Sequence, residues 1–515
     1  MGKQRILWID DEVALLKPHI LFLEQKGYEV AGFNNVVEAV AFLENNTDIK
    51  LILLDENMPG ISGLEALEIF KEKQLITPVI MVSNNQEDDT VHEALSLNVK
   101  DFLIKPVLPN QVLVSIKKVL NQSKIKADKN QTLFLKEQLR LDQDILEANR
   151  INDFYSLYNK LIDWQIAFEN QENEMFLSMV DHLFEAANKA FSKFVENHYA
   201  SWINSNEGPV LSHQLFDKKI KPITAAKKTL VLLIDNLRMD HWKTIKPLFS
   251  DHFKILQDSY YTALLPTVTQ YARNALFAGM LPLDIKQKFP KFWKEDLEDG
   301  LKNDFERELF EWYCDQNGLD YKFSYHKINN ESQAKDYVRT FKKIKDHELN
   351  FAVINFVDQL SHAKTDNTIV DAITGSNKAY RNTTLHWLSN SNIQELIPQL
   401  IKHKIQLIIT TDHGAVKVKN PTLLKGNQDH TNNLRYKNGH RIISEDKVSF
   451  EISEPTAVGL PKSSLASTYL FAKSNHYYVY PNQFNKYADK FKGTYQHGGI
   501  SLEEMMVPFV VLEPK

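Results

Sequence analysis

Short apolar runs alternate with helical patterns in the first and last parts of the chain, and a purely helical pattern lies between them. Alternation of this kind is typical of βα units, in which each strand of a parallel sheet is followed by a helix that covers the sheet. Five strands are predicted in the first part: Arg5–Ile9, Tyr28–Phe33, Leu51–Leu54, Pro78–Val82 and Asp101–Ile104.

The stretch from about residue 123 to residue 203 contains neither glycine nor proline, and its apolar residues recur at helical spacing. They form two stripes, separated by a polar break at Gln171–Glu174. The first comprises Phe154, Leu157, Tyr158, Leu161, Trp164 and Phe168, and the second Phe176, Met179, Leu183, Ala187, Phe191 and Phe194. Because such stripes usually pack helices against one another, we predict an all-α connector with a hydrophobic core.

The turn-rich segment Asn204–Pro209 marks the next boundary. Beyond it, strands are predicted at Thr229–Ile234, Phe351–Phe356, Gln406–Ile409 and Val507–Leu512, the second of which extends to Val357 if it runs up to Asp358. We therefore expect an α/β protein with three domains: a (βα)5 domain over 1–122, a helical connector over 123–206 and a larger α/β sandwich over 207–515. A chain of 515 residues is too long for a single hydrophobic core.

The composition is that of an ordinary soluble protein, with 43% hydrophobic and 25% charged residues. A net charge of −5 argues against a protein that binds DNA through its overall charge. Cys314 is the single cysteine, so an internal disulfide is excluded and a reducing compartment fits. No apolar run has the length of a signal peptide core or a membrane span, and we expect a cytoplasmic protein without membrane contact.

Polar residues follow the predicted strands of the first domain. Asp10 and Asp11 end the first strand, Asp55 the third, Ser83 the fourth and Lys105 the fifth. The carboxyl ends of parallel strands meet at one crevice, so these side chains are expected to converge. Three carboxylates suit one Mg²⁺, and Asp55 would attack a phosphoryl donor while Lys105 and the metal balance the charge of the transferred group. The Ser83 hydroxyl would bind the phosphoryl group and couple it to a loop shift.

This pattern resembles the receiver domain of bacterial response regulators. The resemblance implies that Asp55 is the phospho-acceptor, that Phe102 is the aromatic switch residue and that Lys105-Pro106 is a cis peptide. It also implies a sensor histidine kinase as partner. Receivers commonly dimerise through their fourth helix, fifth strand and fifth helix, here about residues 88–120, so we expect a homodimer upon phosphorylation.

The output domain carries a second set of acidic residues and histidines, placed at or soon after the ends of strands and near the C-terminus. In chain order they are Asp235, Asp358, His362, Asp412, His413 and His497. Nitrogen and oxygen ligands of these kinds suit Zn²⁺ or Mn²⁺. Six ligands divide into two sites of three, and two neighbouring ions can clamp a phosphoryl group and activate a threonine for attack on phosphorus.

The order of these residues, with Thr411-Asp412-His413-Gly414 and His497-Gly498-Gly499-Ile500-Ser501 as its most specific parts, resembles the alkaline phosphatase superfamily and, within it, the PglZ domain. By this resemblance one zinc ion is held by Asp235, Asp412, His413 and the nucleophile. The second zinc ion is held by Asp358, His362 and His497.

The segment Pro266-Thr267-Val268-Thr269 is similar to the nucleophile turn of the phosphodiesterases in this superfamily. In those enzymes the second threonine attacks, so Thr269 is preferred to Thr267. Arg273 and Asn274 lie one helical turn further on and are expected to hold the non-bridging oxygens of the phosphate.

The order of domains, a receiver followed by a helical connector and a PglZ domain, resembles that of the PorX-type response regulators. This resemblance implies a sigma factor as a further partner and a role in regulating type IX secretion genes. The basic residues of segment 415–442 suggest a substrate with several phosphates, such as a linear or cyclic oligonucleotide, although a solvated loop explains them equally well. They are Lys417, Lys419, Lys425, Arg435, Lys437, His440 and Arg441. Two alternatives to a phosphodiesterase remain: a phosphomonoesterase or mutase that uses the same metals, and a non-catalytic adaptor.

Overall fold

The computed structural model describes the chain from Gln4 to Lys515, apart from residues 47, 74, 76, 85–98, 206, 297, 299, 301, 364–374, 427–430, 445–446 and 463–466; at 121–127 and 362–363 it describes the backbone alone. The chain forms two compact units, Met1–Lys136 and Glu137–Lys515. The helix Pro109–Glu147 runs through the position, after residue 122, at which the first domain is expected to end.

The first unit is built on a parallel five-stranded sheet with the order β2-β1-β3-β4-β5. Its strands are β1 Gln4–Ile9, β2 Tyr28–Phe33, β3 Ile49–Asp55, β4 Val79–Ser83 and β5 Asp101–Ile104. Its helices are α1 Lys17–Gln25, α2 Val36–Asn45 and α3 Gly63–Glu72, and α4 Pro109–Glu147 begins in the first unit and ends in the second. Alternate side chains of β1 point to opposite faces of the sheet, so Leu7 and Ile9 enter one core while Ile6 and Trp8 enter the other. The predicted receiver fold is confirmed.

Two long helices, α5 Ile151–Asn170 and α6 Glu174–Asn204, form the connector within the second unit. The predicted polar break is the turn between them, where the Asn173 side chain accepts a hydrogen bond from the Phe176 amide at the start of α6. The two apolar stripes face each other, as in the edge-to-face contact of Phe154 with Phe191 at 5.3 Å between ring centroids. The stripes therefore pack the helices together, which agrees with the sequence interpretation.

The rest of the second unit surrounds a six-stranded mixed sheet with the order β7-β19-β10-β6-β9-β8. Its strands are β6 Thr229–Ile234, β7 Phe253–Thr262, β8 Phe323–Ile328, β9 Leu349–Ile354, β10 Gln406–Thr410 and β19 Met506–Pro514. The central strands β10, β6, β9 and β8 are parallel, whereas β19 and β7 run antiparallel at one side. The carboxyl ends of β10, β6 and β9 therefore lie next to one another.

Helices cover both faces of this sheet, and smaller strands toward the C-terminus form separate sheets of two or three strands. The helices are α7 Lys221–Thr224, α8 Met239–Ile245, α9 Pro247–Ser250, α10 Thr269–Ala278, α11 Pro282–Lys288, α12 Glu306–Gln316, α13 Glu331–Ile344, α14 Phe356–Ala363, α15 Asn377–Asn390, α16 Leu396–His403, α17 Phe484–Phe491 and α18 Leu502–Met505. The smaller strands are β11 Val416–Lys417, β12 Asn420–Lys425, β13 Tyr436–His440, β14 Ile443–Ser444, β15 Ser449–Ile452, β16 Ser467–Ala472, β17 His476–Val479 and β18 Tyr495–Gln496.

One strand boundary differs from the prediction. The expected strand Phe351–Val357 ends at Ile354, where its pairing with β6 stops, and helix α14 begins at Phe356. Phe356 and Val357 are apolar because they belong to the inner face of that helix, not because they continue the strand. Asp358 therefore lies in the first turn of a helix, one turn before His362. Among the described residues, no helix is long and apolar enough to cross a membrane.

Candidate functional site

In the first unit, the carboxyl ends of the central strands bring three carboxylates and one ammonium group together. Asp10, Asp11 and Asp55 each offer an oxygen within 4.8 Å of the others. The Lys105 ammonium lies 3.0 Å from Asp10 and 2.9 Å from Asp55. Burial raises the pKa of the Asp55 carboxyl, and Lys105 offsets part of that rise. The cluster has more acidic than basic groups, which fits a divalent cation.

The other receiver residues also lie where the sequence placed them. Ser83 is buried at the end of β4, and its hydroxyl donates a hydrogen bond to Glu56, a neighbour of Asp55 that sequence reasoning did not single out. Phe102 is half-buried against the core beside α3, and the Lys105-Pro106 peptide is cis, as the resemblance implied.

In the second unit, Asp235 follows β6, and Asp412 and His413 follow the adjacent strand β10. One ligand atom of each lies within 4.8 Å of the other two, and all three residues are buried. The His413 Nε2 atom is 3.7 Å from an oxygen of each aspartate. Asp235 Oδ1 and Asp412 Oδ2 are buried and have no hydrogen-bond partner among the described residues. Two unpartnered carboxylate oxygens beside an imidazole nitrogen fit a zinc ion.

The electrostatics of this trio point the same way. Burial, followed by the repulsion of Asp412, raises the pKa of Asp235 well above its usual range. At Asp412, burial is outweighed by His413 and Arg273, which lower the pKa of that carboxyl. Two adjacent buried carboxylates that cannot both be charged without compensation provide a site for a cation.

The remaining predicted ligands lie beside the trio. The His497 Nε2 atom is 3.5 Å from Asp358 Oδ1, and the His497 ring stacks on the His413 ring at 4.4 Å between centroids. Asn236, in the left-handed backbone conformation directly after Asp235, donates a hydrogen bond to Asp358 at 3.3 Å. The backbone of His362 lies on α14 one turn after Asp358, but its side chain lies outside the described part of the structure.

The two candidate nucleophiles have different environments. Thr269 is the first residue of α10, and its hydroxyl oxygen lies 3.2 Å from His413 Nε2. The Thr267 hydroxyl is fully buried, donates a hydrogen bond to the Gly499 carbonyl at 3.1 Å and accepts one from the Gly498 amide at 2.9 Å. The Thr269 hydroxyl therefore lies beside His413, which forms a cluster with Asp235 and Asp412. The Thr267 hydroxyl is instead hydrogen-bonded to the backbone of Gly498 and Gly499.

The His497 loop, residues 497–501, is fixed from both ends. Before it, β18 pairs with β11, which follows Gly414, so the two histidine-bearing segments are joined by a short antiparallel ladder. Gly498 has a φ angle of +121°, a backbone conformation that residues with a side chain rarely adopt. After the loop, the buried Glu504 carboxylate accepts hydrogen bonds from the Gly499 amide at 2.9 Å and from Arg435 at 2.6 and 3.2 Å.

Several basic residues of segment 415–442 have partners within the protein. Arg435 is buried against Glu504, and Lys437 is buried with its ammonium on the Thr431 carbonyl. Lys419 pairs with Asp181 and Glu185 of α6, and Lys417 donates to the Gly375 carbonyl. Most of this positive charge therefore stabilises the fold. A sequence pattern cannot tell such charges from substrate contacts, because the acidic partners lie far away in the chain.

Arg273 and Asn274 also have protein partners. The Arg273 guanidinium is 2.8 Å from Asp235 and 2.6 Å from Glu306, a buried acid that sequence reasoning missed because no motif surrounds it. Tyr325 and Asn303 donate further hydrogen bonds to Glu306. The Asn274 amide donates to the Lys302 carbonyl at 3.1 Å. The contact of both side chains with phosphate oxygens stays a prediction.

Comparison with known families identifies the domains of the chain. Residues 215–512 match the family described as the BREX system PglZ alkaline phosphatase-like domain, which is more than half of the chain. The chain belongs to the PglZ family. The part before the PglZ domain matches a response regulator receiver domain at residues 6–117 and a PorX response regulator linker domain at residues 124–203. This order of domains is that of a PorX-type regulator.

Two curated relatives of this PglZ protein match over about a quarter of the chain and over half or less of their own length. The phosphoglycerate transport regulator PgtA of Salmonella typhimurium is 32% identical over 117 residues, which is 23% of this chain and 28% of that protein. The regulator ResD of Bacillus subtilis is 33% identical over 123 residues, 24% of this chain and 50% of ResD. The chain thus spans half or less of these two relatives.

Solved structures match over a similar share of the chain. A receiver domain from Methanospirillum hungatei is 30% identical and covers 24% of this chain and 96% of that chain, with a TM-score of 0.22. A receiver domain from Clostridium thermocellum is 26% identical and covers 24% and 98%, with a TM-score of 0.23.

The types of domain indicate the general function of each part of the chain. A receiver domain implies a sensor histidine kinase as partner and a role in phospho-signalling. The PglZ domain indicates a hydrolase of the phosphoesterase type. Domains of both kinds are typically metal-dependent.

The buried Arg435–Glu504 pair yields a stability prediction. Arg435→Met leaves the Glu504 carboxylate buried without its cation, so we expect the free energy of unfolding to fall by about 3–5 kcal/mol. Urea unfolding followed by tryptophan fluorescence measures this change, since all tryptophans except Trp8 lie in the second unit. As a control, Arg307→Met removes an exposed pair with Glu311 and should change stability by less than about 1 kcal/mol. Adding Glu504→Gln to Arg435→Met should recover part of the loss; equal stability of the single variant and the wild type would contradict the prediction.

Proposed function

We propose that this chain is a response regulator in which phosphorylation of Asp55 controls a two-zinc phosphodiesterase in the PglZ domain. The observation that carries the proposal is the position of the Thr269 hydroxyl, 3.2 Å from His413 Nε2 and beside two unpartnered carboxylate oxygens. A hydroxyl next to a cation site at the start of a helix is well placed for attack on a phosphate ester.

The residues that would hold the ions divide into two groups. Asp235, Asp412 and His413 would bind one zinc ion, and Asp358 and His497, with His362, the other. Bound zinc would lower the pKa of the Thr269 hydroxyl and balance negative charge on the phosphoryl group.

The chain itself supplies the nucleophile, Thr269, and the residues that hold the site in position. Thr269 gives up its hydroxyl proton to solvent, its Oγ1 forms the new bond to phosphorus, and the bond to the leaving ester oxygen breaks, after which the departing alkoxide takes a proton from solvent. Water then attacks the phosphorus of this threonine-linked diester and loses a proton. The bond to Thr269 Oγ1 breaks, the threonine hydroxyl is reprotonated, and a phosphomonoester is released. Arg273, bridged to Glu306, holds Asp235 in place throughout.

The receiver part of the proposal is supported by the Lys105 contacts. Asp55 would take the phosphoryl group from a histidine kinase with one Mg²⁺ held by Asp10, Asp11 and Asp55. Lys105, which contacts both Asp10 and Asp55, would balance the charge of the new phosphate, and the Ser83 hydroxyl would exchange its bond to Glu56 for one to the phosphate.

We further propose short linear or cyclic oligonucleotides as substrates. Exposed Lys425 and Arg441 still support this choice, whereas the buried members of the basic segment do not. A homodimer upon phosphorylation, a sigma factor partner and a role in type IX secretion remain predictions from resemblance, and a cytoplasmic location remains a prediction from the sequence. Residues 88–98 of the expected dimer face lie outside the described residues.

Phosphorylation at Asp55 is tested with acetyl phosphate and Mg²⁺. We expect the intact mass of the wild type to rise by one phosphoryl group and the mass of Asp55→Asn to stay constant, because Asp55 lies against both Lys105 and the acidic pair Asp10 and Asp11. Asp48→Asn, which changes an exposed carboxylate, is the matched control and should label like the wild type. Equal labelling of Asp55→Asn and the wild type would refute the assignment.

The metal sites are tested by elemental analysis of the purified protein. We expect two zinc ions per chain, of which Asp235→Ala or His413→Ala removes one and His362→Ala or His497→Ala the other, since each substitution deletes a ligand. His252→Ala changes an exposed histidine and should keep both ions. A full zinc content in all four ligand variants would show that the ligands are misassigned.

The nucleophile is tested by comparing two threonine variants of similar volume change. Thr269→Val should keep its zinc and lose turnover of bis-p-nitrophenyl phosphate by at least about a thousand-fold. Thr267→Val loses two hydrogen bonds to the His497 loop, so it should be less stable, by about 1–3 kcal/mol, and retain more activity.

The same assay separates the alternative functions. A preference of the zinc-loaded wild type for p-nitrophenyl phosphate over the diester would identify a phosphomonoesterase. Absence of turnover on simple esters and on oligonucleotides alike would favour an adaptor.

A further inference from the structure

The second connector helix, α6, sends buried polar side chains into the two loops that form the phosphoesterase site. Asn188, Ser192 and Tyr199 are each buried. Their spacing of four and seven residues places them on one face of the helix, since eleven residues complete about three turns. That face lies against the loop after His497 and the turn before Thr269, as the following contacts show.

Tyr199 holds the turn that leads to the nucleophile. Its hydroxyl accepts a hydrogen bond from the Leu265 amide at 2.9 Å and lies 3.5 Å from the Leu265 carbonyl. Leu265 is four residues before Thr269. The Tyr199 side chain is completely buried, so loss of its hydroxyl would leave the Leu265 amide without a partner and without water.

Asn188 and Ser192 hold the end of the His497 loop and the residues that follow it. Asn188 Oδ1 accepts a hydrogen bond from the Leu502 amide at 2.7 Å, and its Nδ2 donates to Glu503 at 2.9 Å. The Ser192 hydroxyl lies 3.4 Å from the Ile500 carbonyl. Both groups of the Asn188 amide are therefore used, one for the backbone and one for a buried acid.

We propose that Asn188 and Tyr199 are positioning residues of the phosphoesterase site, and that α6 sets the distance between the nucleophile turn and the His497 loop. The inference rests on the proposed function and adds a residue class to it: side chains of the connector, outside the PglZ match at 215–512 and inside the linker match at 124–203. A shift of α6 would move Thr269 and His497 together, so the connector is the element through which the site can be controlled.

The first test separates positioning from stability. Tyr199→Phe keeps the ring and removes only the hydroxyl, and should lower kcat on bis-p-nitrophenyl phosphate by about 10- to 100-fold with KM within about two-fold. Tyr337→Phe is the matched control, because its buried hydroxyl has no hydrogen-bond partner among the described residues. It should keep the wild-type kcat.

The second test does not depend on turnover. Asn188→Leu removes both hydrogen bonds at nearly constant volume, and we expect it to weaken binding of one of the two zinc ions by about ten-fold or more in a chelator competition titration. Asn197→Leu makes the same change at an exposed position of α6 and should bind zinc like the wild type.

An exchange of partners guards against a variant that merely folds poorly. Asn188→Asp keeps the acceptor for the Leu502 amide but faces the Glu503 carboxylate, so it should lose zinc affinity and kcat. Adding Glu503→Gln restores a donor and acceptor pair with the roles reversed, and should recover most of both losses. Recovery identifies the hydrogen bond rather than general packing as the cause.

Three outcomes decide the matter. Wild-type zinc affinity in Asn188→Leu together with wild-type kcat in Tyr199→Phe overturns the proposal. A loss in Asn188→Asp that Glu503→Gln does not recover also counts against it. If the wild type binds two zinc ions but hydrolyses no diester, the proposed function fails, while the zinc titrations of Asn188→Leu and Asn197→Leu still test the positioning role.

Discussion

The unbalanced negative charge at the carboxyl edge of the six-stranded sheet is the constraint on which the second unit depends. Asp235 and Asp412 are adjacent and buried, and Glu306 adds a third buried acid behind them. Arg273 contacts all three, at 2.8 Å from Asp235, 2.6 Å from Glu306 and 3.8 Å from Asp412. Lys327 adds a second cation, 3.9 Å from Glu306. Two cations cannot balance three carboxylates, so the fold leaves a deficit of positive charge that a divalent cation can fill.

The receiver unit meets a similar constraint with simpler means. There, Lys105 is the cation between Asp10 and Asp55, and although burial lowers the pKa of its ammonium, the two carboxylates raise it. The acids lie at strand ends for the same reason in both units: parallel strands are apolar along their length and can place charge only where they end. The receiver cluster is more open, since Asp11 is exposed, as access for a phosphoryl donor requires.

Much of the fold could be predicted because buried parallel strands are continuous apolar runs with abrupt polar ends. Tyr28–Phe33, Asp101–Ile104 and Thr229–Ile234 have the predicted bounds. The strand Phe253–Thr262 was missed because it lies at the edge of the sheet and most of its side chains are only partly buried, so its sequence is mixed. The end of Leu349–Ile354 was placed too late because the helix that follows begins with apolar residues.

The candidate site could be predicted in part, and the division has a physical reason. Asp235, Asp412 and His413 follow strands directly, so topology alone brings them together. Glu306 and Asn188 contact the site from elements distant in sequence, and a single buried acid or amide in a helix carries no local signal. The protein partners of the basic segment could not be predicted for the same reason, since the acids that neutralise Arg435 and Lys419 lie on other elements.

Residues of the connector and of the PglZ domain lie far apart in sequence but are in contact in the fold. These contacts show that the folded second unit begins before the PglZ domain. The linker match ends at residue 203 and the PglZ match starts at 215, yet the two parts share a buried boundary. Arg381 is almost fully buried between Asp240 and Glu169 of α5, and Lys419 is held by two acids of α6. A fragment that starts after residue 206 would keep Asp240 but lose Glu169, the two acids of α6 and the hydroxyl of Tyr199. The connector thus belongs to the same folded unit as the PglZ domain, and its second helix contacts both the turn before Thr269 and the His497 loop.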